Sequence, residues 1–226
     1  MLAKMLRAST SARLVDIRTS TTVSSTTITV NTPNRANGDL LLFVVCPAGS
    51  STTNLTVSTP ANWTLLSGNA TGTTAYQPGM YVFYRTVDGT ESASYNATLN
   101  STSSQATGAI LSLTNVAPAS LAAGTTATGS ATANIAATAV TATANGILLY
   151  FGVQANNNQG PPSFTPPTGM TEAADVSING TTADSGLEIA YQQNVYVGST
   201  GTRTATSSSS AGTNRFRALL VTVSRS

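Results

Sequence analysis

The residues able to act as acids, bases, nucleophiles or metal ligands are few: ten Lys and Arg, eight Asp and Glu, one Cys and no His in 226 residues. Without His the common catalytic triads, the most frequent transition-metal ligand and the usual proton carrier near neutral pH are all missing. A Ser or Thr nucleophile needs a base, and Lys4 is the only lysine while no Gly-x-Ser-x-Gly segment occurs. The carboxylates are Asp16, Asp39, Asp88, Glu91, Glu172, Asp175, Asp184 and Glu188, nearly all at predicted turns or strand ends. In Asp88-Gly89-Thr90-Glu91 the oxygens could face calcium, and a carboxylate pair elsewhere could cleave a glycoside, but no spacing specifies either geometry. Solvated turn residues are the default. Cys46, within LLLFVVCPA, reads as a small buried hydrophobe, not an activated thiolate. These residues predict no enzyme, no catalytic residue, no metal and no cofactor.

The elements that carry these residues are short and extended. Only 8% of residues are charged, against roughly a quarter in an average soluble protein, so polarity comes from Ser and Thr hydroxyls. A net charge of +2 is too thinly spread for a phosphate-binding track, which excludes nucleic acid as an expected partner. The apolar run from Leu40 to Cys46 is far below the roughly 20 residues of a membrane helix, and Lys4 and Arg7 interrupt the apolar N-terminus where a signal peptide would be continuous. No membrane is expected. Segments rich in β-branched and aromatic residues recur between Gly, Pro, Asn and Ser clusters, with no capped helical period. They predict strands at Val23 to Val30, Asp39 to Cys46, Trp63 to Leu66, Met80 to Val87, Ser94 to Leu99 and Gly108 to Leu113.

Their counterparts follow in the same order. Asn37-Gly38-Asp39-Leu40-Leu41-Leu42-Phe43 matches Asn145-Gly146-Ile147-Leu148-Leu149-Tyr150-Phe151 at an offset of 108. Pro60 to Thr64 matches Pro167 to Thr171, and Tyr84 matches Tyr191, at 107, while Ala109-Ile110-Leu111 meets Ala218-Leu219-Leu220 at 109. Three collinear matches predict an internal duplication, with halves at about 19–118 and 126–226 joined by a surface crossover near 117–136. The expected fold is all-β, a jelly-roll-like β-sandwich of about twelve strands over residues 19–226, with two tandem small sandwiches as the alternative. Gly38 and Gly146 each follow Asn and suit positive φ in equivalent turns.

Four of the ten basic residues, Lys4, Arg7, Arg13 and Arg18, precede the first predicted strand. Interleaved with Leu6, Leu14 and other apolar residues, they read as an N-terminal attachment arm over residues 1–18 that lays its anchors on a partner. Trp63, Tyr76 and Tyr81 are the candidate ligand-facing aromatics, for stacking on a sugar. Met170, matching Trp63, favours a packed plug there instead, since it keeps bulk without a ring face.

The ordered set ANGDLLLFVV, Pro-x-x-Trp-Thr-Leu-Leu, MYVFYRTVDGTESASYNATLNSTSSQATGAILSLTNV, ANGILLYFGV, TPPTGMTEAADV and GTRTATSSSSAGTNRFRALLVTVSRS resembles jelly-roll proteins of tailed-phage virions and some bacterial surface proteins. The resemblance covers residues 20 to 226. It implies a lectin-like sandwich without an obligatory enzymatic site, placed on the virion, on the capsid surface in preference to the tail. The expected role is capsid decoration or cement, with shell subunits as partners and a homo-oligomer, a trimer, as the assembly. The alternative is a tail-fibre or surface adhesin module that binds carbohydrate.

Overall fold

The computed structural model describes residues 11–49, 54–72, 75–130, 133–180, 183–210 and 213–226. The first half forms β1 (Arg13–Asn31), β2 (Leu40–Ala48), β3 (Thr64–Asn69), β4 (Met80–Thr86) and β5 (Ser94–Thr114). The second forms β6 (Ala122–Ala123), β7 (Ala127–Ser130), β8 (Asn134–Ala137), β9 (Thr141–Ala142), β10 (Gly146–Asn156), β11 (Phe164–Thr165), β12 (Thr171–Asn179), β13 (Asp184–Val195), β14 (Gly198–Ser199), β15 (Arg203–Ser207) and β16 (Arg215–Ser224). Every pairing is antiparallel, and a single 3-10 turn at Pro118–Ser120 is the only helical element among the described residues. The protein is an all-β sandwich.

One sheet runs β1-β5-β2-β4-β3 and the other β12-β13-β10-β16-β6, with β7 also on β16. Read from the opposite edge, the second order repeats the first. Register follows: Leu42 lies opposite Tyr84 and Leu111, and Leu149 lies opposite Tyr191 and Val221. Both β3 and β12 carry a bulge at the same place, between Leu65 and Ser67 and between Glu172 and Ala174. The outer layers match as well: Ile28 pairs with Ala97 and Ile135 with Ala205, while Val57 bridges Leu99 where Phe164 pairs with Ser207.

This register corrects two of the sequence offsets. In the central strands Leu40, Leu42 and Val44 point into the same cluster as Ile147, Leu149 and Phe151, an offset of 107. The 108 match of the Asn-Gly dipeptides would turn every side chain to the opposite face, because strand side chains alternate. Gly146 therefore stands where the first half has Asp39, and the two glycines differ: Gly38 takes φ +89°, whereas Gly146 is not in the positive-φ region and starts β10 so close to the Val223 carbonyl that a Cβ would collide with it. Likewise Leu111 corresponds to Val221, at 110 and not 109.

Three apolar clusters hold the layers together. The first lies between the two sheets and joins Leu40, Leu42, Val44, Leu111 and Leu113 to Ile147, Leu149, Phe151, Leu219 and Val221. The second covers the outer face of the first sheet and includes Phe43, Phe83, Trp63, Ile28 and Ile110. The third covers the outer face of the second, with Tyr150, Leu148, Phe164, Ile135 and Leu220. Thus each half owns a core beneath its own outer layer, and the two halves share the largest one. The nearly continuous hydrophobicity of β2 and β10 follows, since both are covered on both faces.

Strand boundaries differ from the sequence reading where one strand serves two layers. The segments Ser94 to Leu99 and Gly108 to Leu113 are parts of the single strand β5, and β1 extends back to Arg13. In the second half the same paths are broken into β6, β7 and β8 and into β15 and β16, so the crossover expected near 117–136 is instead the edge of the second sheet. The repeat accordingly begins by Ala122, not near residue 126.

Candidate functional site

Most carboxylates are engaged in holding the backbone. Asp16 accepts from the N–H of Asn34 at 2.9 Å, Asp39 from Ala36 at 2.8 Å and Asp175 from Phe164 at 2.8 Å. Asp184 accepts from Gly160 at 2.8 Å and from Gly180 at 3.0 Å, tying two loops to the start of β13. In the Asp88 to Glu91 turn the Glu91 carboxylate accepts from the N–H groups of Asp88 and Gly89, while Asp88 accepts from Thr90. Asp88 is held below the usual carboxylate range chiefly by the hydroxyl and N–H of Thr90.

That turn closes on a buried cation. Arg85, on β4, donates to Glu91 at 2.8 Å, to Asp88 at 3.2 Å and to the Tyr95 hydroxyl at 2.9 Å. Its guanidinium carbon also stands 5.7 Å from the centre of the Tyr95 ring. The Glu91 side chain is almost fully buried and also faces Arg35 at 3.7 Å. The Asp88 turn is therefore a self-satisfied ionic lock, and the calcium reading has no open oxygen set to rest on: among the described residues no group of three or more His, Cys, Asp or Glu is placed to hold a metal ion. Beside it opens a polar cleft of about 510 Å³ lined by Asn62, Thr64, Tyr84, Arg85, Thr86, Asp88 and Thr90.

A different carboxyl stands apart. Glu188, on β13, is fully buried on the outer face of the second sheet, and neither oxygen has a hydrogen-bond partner. It lies opposite Gly152 on β10 and Asp175 on β12. Burial, followed by repulsion from Glu172 and Asp175, pushes its carboxyl up to about 8. A raised acid beside other carboxylates is the arrangement of general acid catalysis. Here both oxygens are sealed from solvent, and Glu188 lines none of the major clefts, so no substrate atom can reach it. Glu188 was missed as a special residue by sequence reasoning; the signal that could have found it is the 107 offset, which aligns it with the core residue Tyr81.

The other sequence-derived site residues are scattered. Trp63 is 6% and Tyr81 7% exposed, and both belong to the first-half outer cluster. Trp63 packs against Phe43 at 5.6 Å and edge-on to Tyr95 at 5.0 Å, and Tyr81 stacks on Phe83 at 6.2 Å. Their rings are core, which corrects the ligand-facing reading for both. Tyr76, half-buried at φ +62°, donates to the Asn157 side chain at 2.8 Å and is not brought beside either ring. Of the arm residues, Lys4, Leu6 and Arg7 lie outside the described residues. Arg13, Leu14 and Arg18 lie in β1: Leu14 packs on the shared core and Arg18 pairs with Asp16 at 3.1 Å. The boundary of the arm therefore moves back from residue 18 to before Arg13. Cys46 is buried in the shared core, its thiol pushed up by burial.

No protein-family model matches the chain, and a search of curated proteins finds no match. Among the described residues no helix is long and apolar enough to cross a membrane.

Proposed function

We propose that this chain is a non-enzymatic structural protein of a tailed-phage virion, a capsid decoration or cement protein fastened to shell subunits through its N-terminal segment. The observation that carries a scaffolding role is the use of its carboxylates: Asp16, Asp39, Asp88, Glu91, Asp175 and Asp184 all brace turns or loops, and Glu188 is sealed. A chain with so few charges spends them on rigidity, which suits a durable outer surface. The placement on a virion rests on the resemblance of the ordered strand motifs, and a trimer on the same resemblance together with the closed symmetry usual for oligomers.

The arm in this reading is the segment before Ala12, because Ala12 is buried in the shared core and residues 13–18 belong to β1. The test adds purified protein, with and without residues 1–10, to particles stripped of their decoration. Attachment through the arm predicts restored resistance to heat for the full chain and lost occupancy for the deletion, with both proteins melting alike. Failure of the full chain to occupy any particle would overturn the reading.

The polar cleft favours a second reading, a carbohydrate-binding adhesin module. Asn62 and Thr64 offer the donors and acceptors that sugar hydroxyls need, in a cleft that Tyr84 also lines. Retention of host cells or glycans by the full chain, abolished by Asn62→Ala, would select this reading over cement.

A further inference from the structure

Among the described residues Glu188 is the one carboxyl that is fully buried with no hydrogen-bond partner, and the duplication shows what it displaced. Its equivalent in the first half is Tyr81, and the residue opposite on the edge strand is Gly68 there and Asp175 here. A Cβ on Gly68 would stand 3.1 Å from the Tyr81 ring, so the glycine makes room for an aromatic plug. The second half replaces plug and glycine by two acids, placed directly across from each other. Cross-strand like charges repel, and an ionised carboxylate without a hydrogen bond is costly to bury.

We propose that Glu188 is a proton-operated latch: as a neutral acid it lets β12 stay paired at the edge of the second sheet and β11 close over that sheet's outer face, and its ionisation releases them. The geometry supplies the moving parts. β12 is an edge strand whose only pairing within the sheet is to β13, its inner face resting on the shared core through Ala173 and Ala174, and β11 is two residues long. β11 is tied to β12 by the Phe164 N–H to Asp175 bond, and the Phe164 ring lies against Gly186, two residues from Glu188 on the same face. Charge appearing at Glu188 therefore acts at once on the strand that carries Asp175 and on the strand that Asp175 holds.

Among the described residues no cation stands beside it to neutralise it. β12 presents Glu172 and Asp175, β10 presents Tyr150, whose hydroxyl donates to the Ile135 carbonyl at 2.6 Å, and β13 itself carries Asp184, occupied by two loop N–H groups. β8 and β11 have no titratable side chain, and the single one on β15, Arg203, donates to Gln192 at 3.0 Å. The upward shift of Glu188 places release on the alkaline side of neutrality.

The test is hydrogen exchange of the full chain between pH 6.5 and 9, corrected for the intrinsic pH dependence of exchange. The latch predicts protection lost at 164–165 and 171–179 as pH rises, by tenfold or more, with the equivalent first-half strand at 64–69 unchanged. Glu188→Gln should abolish the loss, and Asp175→Asn, which removes the facing charge while keeping an acceptor for Phe164, should move the midpoint to higher pH only if the assignment is wrong and to lower pH if it is right. Equal protection at 171–179 across the range, or loss of protection in Glu188→Gln at the wild-type midpoint, would overturn the proposal. If Glu188→Gln does not fold, the direction of the Asp175→Asn shift decides.

Discussion

The two halves share one backbone plan and fill it by different means. Over the first sheet the outer core is aromatic: Phe43, Tyr81, Phe83, Trp63 and Tyr95 touch in a chain of ring contacts. At the equivalent places the second half has Tyr150, Glu188, Ala190, Met170 and Arg203. The bulk lost at Phe83 and Trp63 is made up partly by Phe164 and Phe216, which replace Val57 and Ala106. The polar pair moves with it: Arg85 on β4 bonds Tyr95, whereas in the second half the cation is Arg203 on β15 and its partner is Gln192 on β13. A cross-strand contact survives when both members change together. What the duplication preserves is therefore register and layer spacing, while the identity of the filler is free to drift.

The largest break in the comparison should come at the turn that plugs each outer core. The Trp63 N–H is bonded to the Pro60 carbonyl at 3.2 Å and the Met170 N–H to Pro167 at 2.9 Å, so the two turns are alike and only the plug differs. Trp63→Ala should cost about 3–5 kcal/mol, as for a buried aromatic, and Met170→Ala, at a half-buried site, about 2 kcal/mol or less. Urea denaturation measures both; equal costs would mean that the second outer core depends on its plug as much as the first.

The shared core should not distinguish the halves. Leu42→Ala and Leu149→Ala are each expected to cost about 2–5 kcal/mol, since both side chains are fully buried at equivalent places in one cluster. A loss below about 1 kcal/mol for either, in the same denaturation series, would dissolve the equivalence.

Acidity should separate the halves again. A carboxyl raised in the folded state to about 8 stays protonated where the unfolded chain has already released its proton, so its contribution is complete below the ordinary carboxylate range and is lost as pH rises toward 8. Glu188→Met should leave the melting temperature near wild type at pH 5 and raise it at pH 9, by an amount on the order of a few kcal/mol in stability. Melting curves at pH 5, 7 and 9 test this; parallel curves for the two proteins would deny Glu188 a role in the alkaline loss.

The smallest effect sharpens the turn comparison. Asn62 at φ +64° and Gly169 at φ +79° occupy the same left-handed corner before the plug. Gly169→Ala should cost about 1 kcal/mol, while Gly169→Asn, the residue the first half uses, should cost less, because Asn tolerates this conformation better than other residues with a Cβ. Thermal melts of the two variants give the order.

Much of this architecture was legible from local pattern. The alternation at Thr27 to Val30 and the unbroken apolar runs at Leu40 and Ile147 identify strands because side-chain period and burial are properties of a few adjacent residues. The repeat was visible for the same reason, and Cys46 and the absence of His bounded the chemistry before any fold was known. Pairing register was not legible: Gly38 and Gly146 look equivalent in sequence, yet one residue of difference in the turn makes Asp39 the counterpart of Gly146, and a one-residue slip exchanges the faces of a strand. Nor could sequence show that residues 13–18 join β5, since an edge strand with mixed polar and apolar residues reads like a tail until a neighbour is in place.

The candidate site shows the same division. Composition alone determined that this protein has few groups able to do acid, base or metal chemistry, because residue types are counted without reference to space. Only the tertiary structure decided which of those few are exceptional. Asp175 and Glu188 are thirteen positions apart and unremarkable in sequence, and pairing of β12 with β13 sets them face to face under a sealed layer. Burial, dielectric environment and the lack of a hydrogen-bond partner are properties of the surroundings and not of the side chain, and they arise only when distant strands close over it.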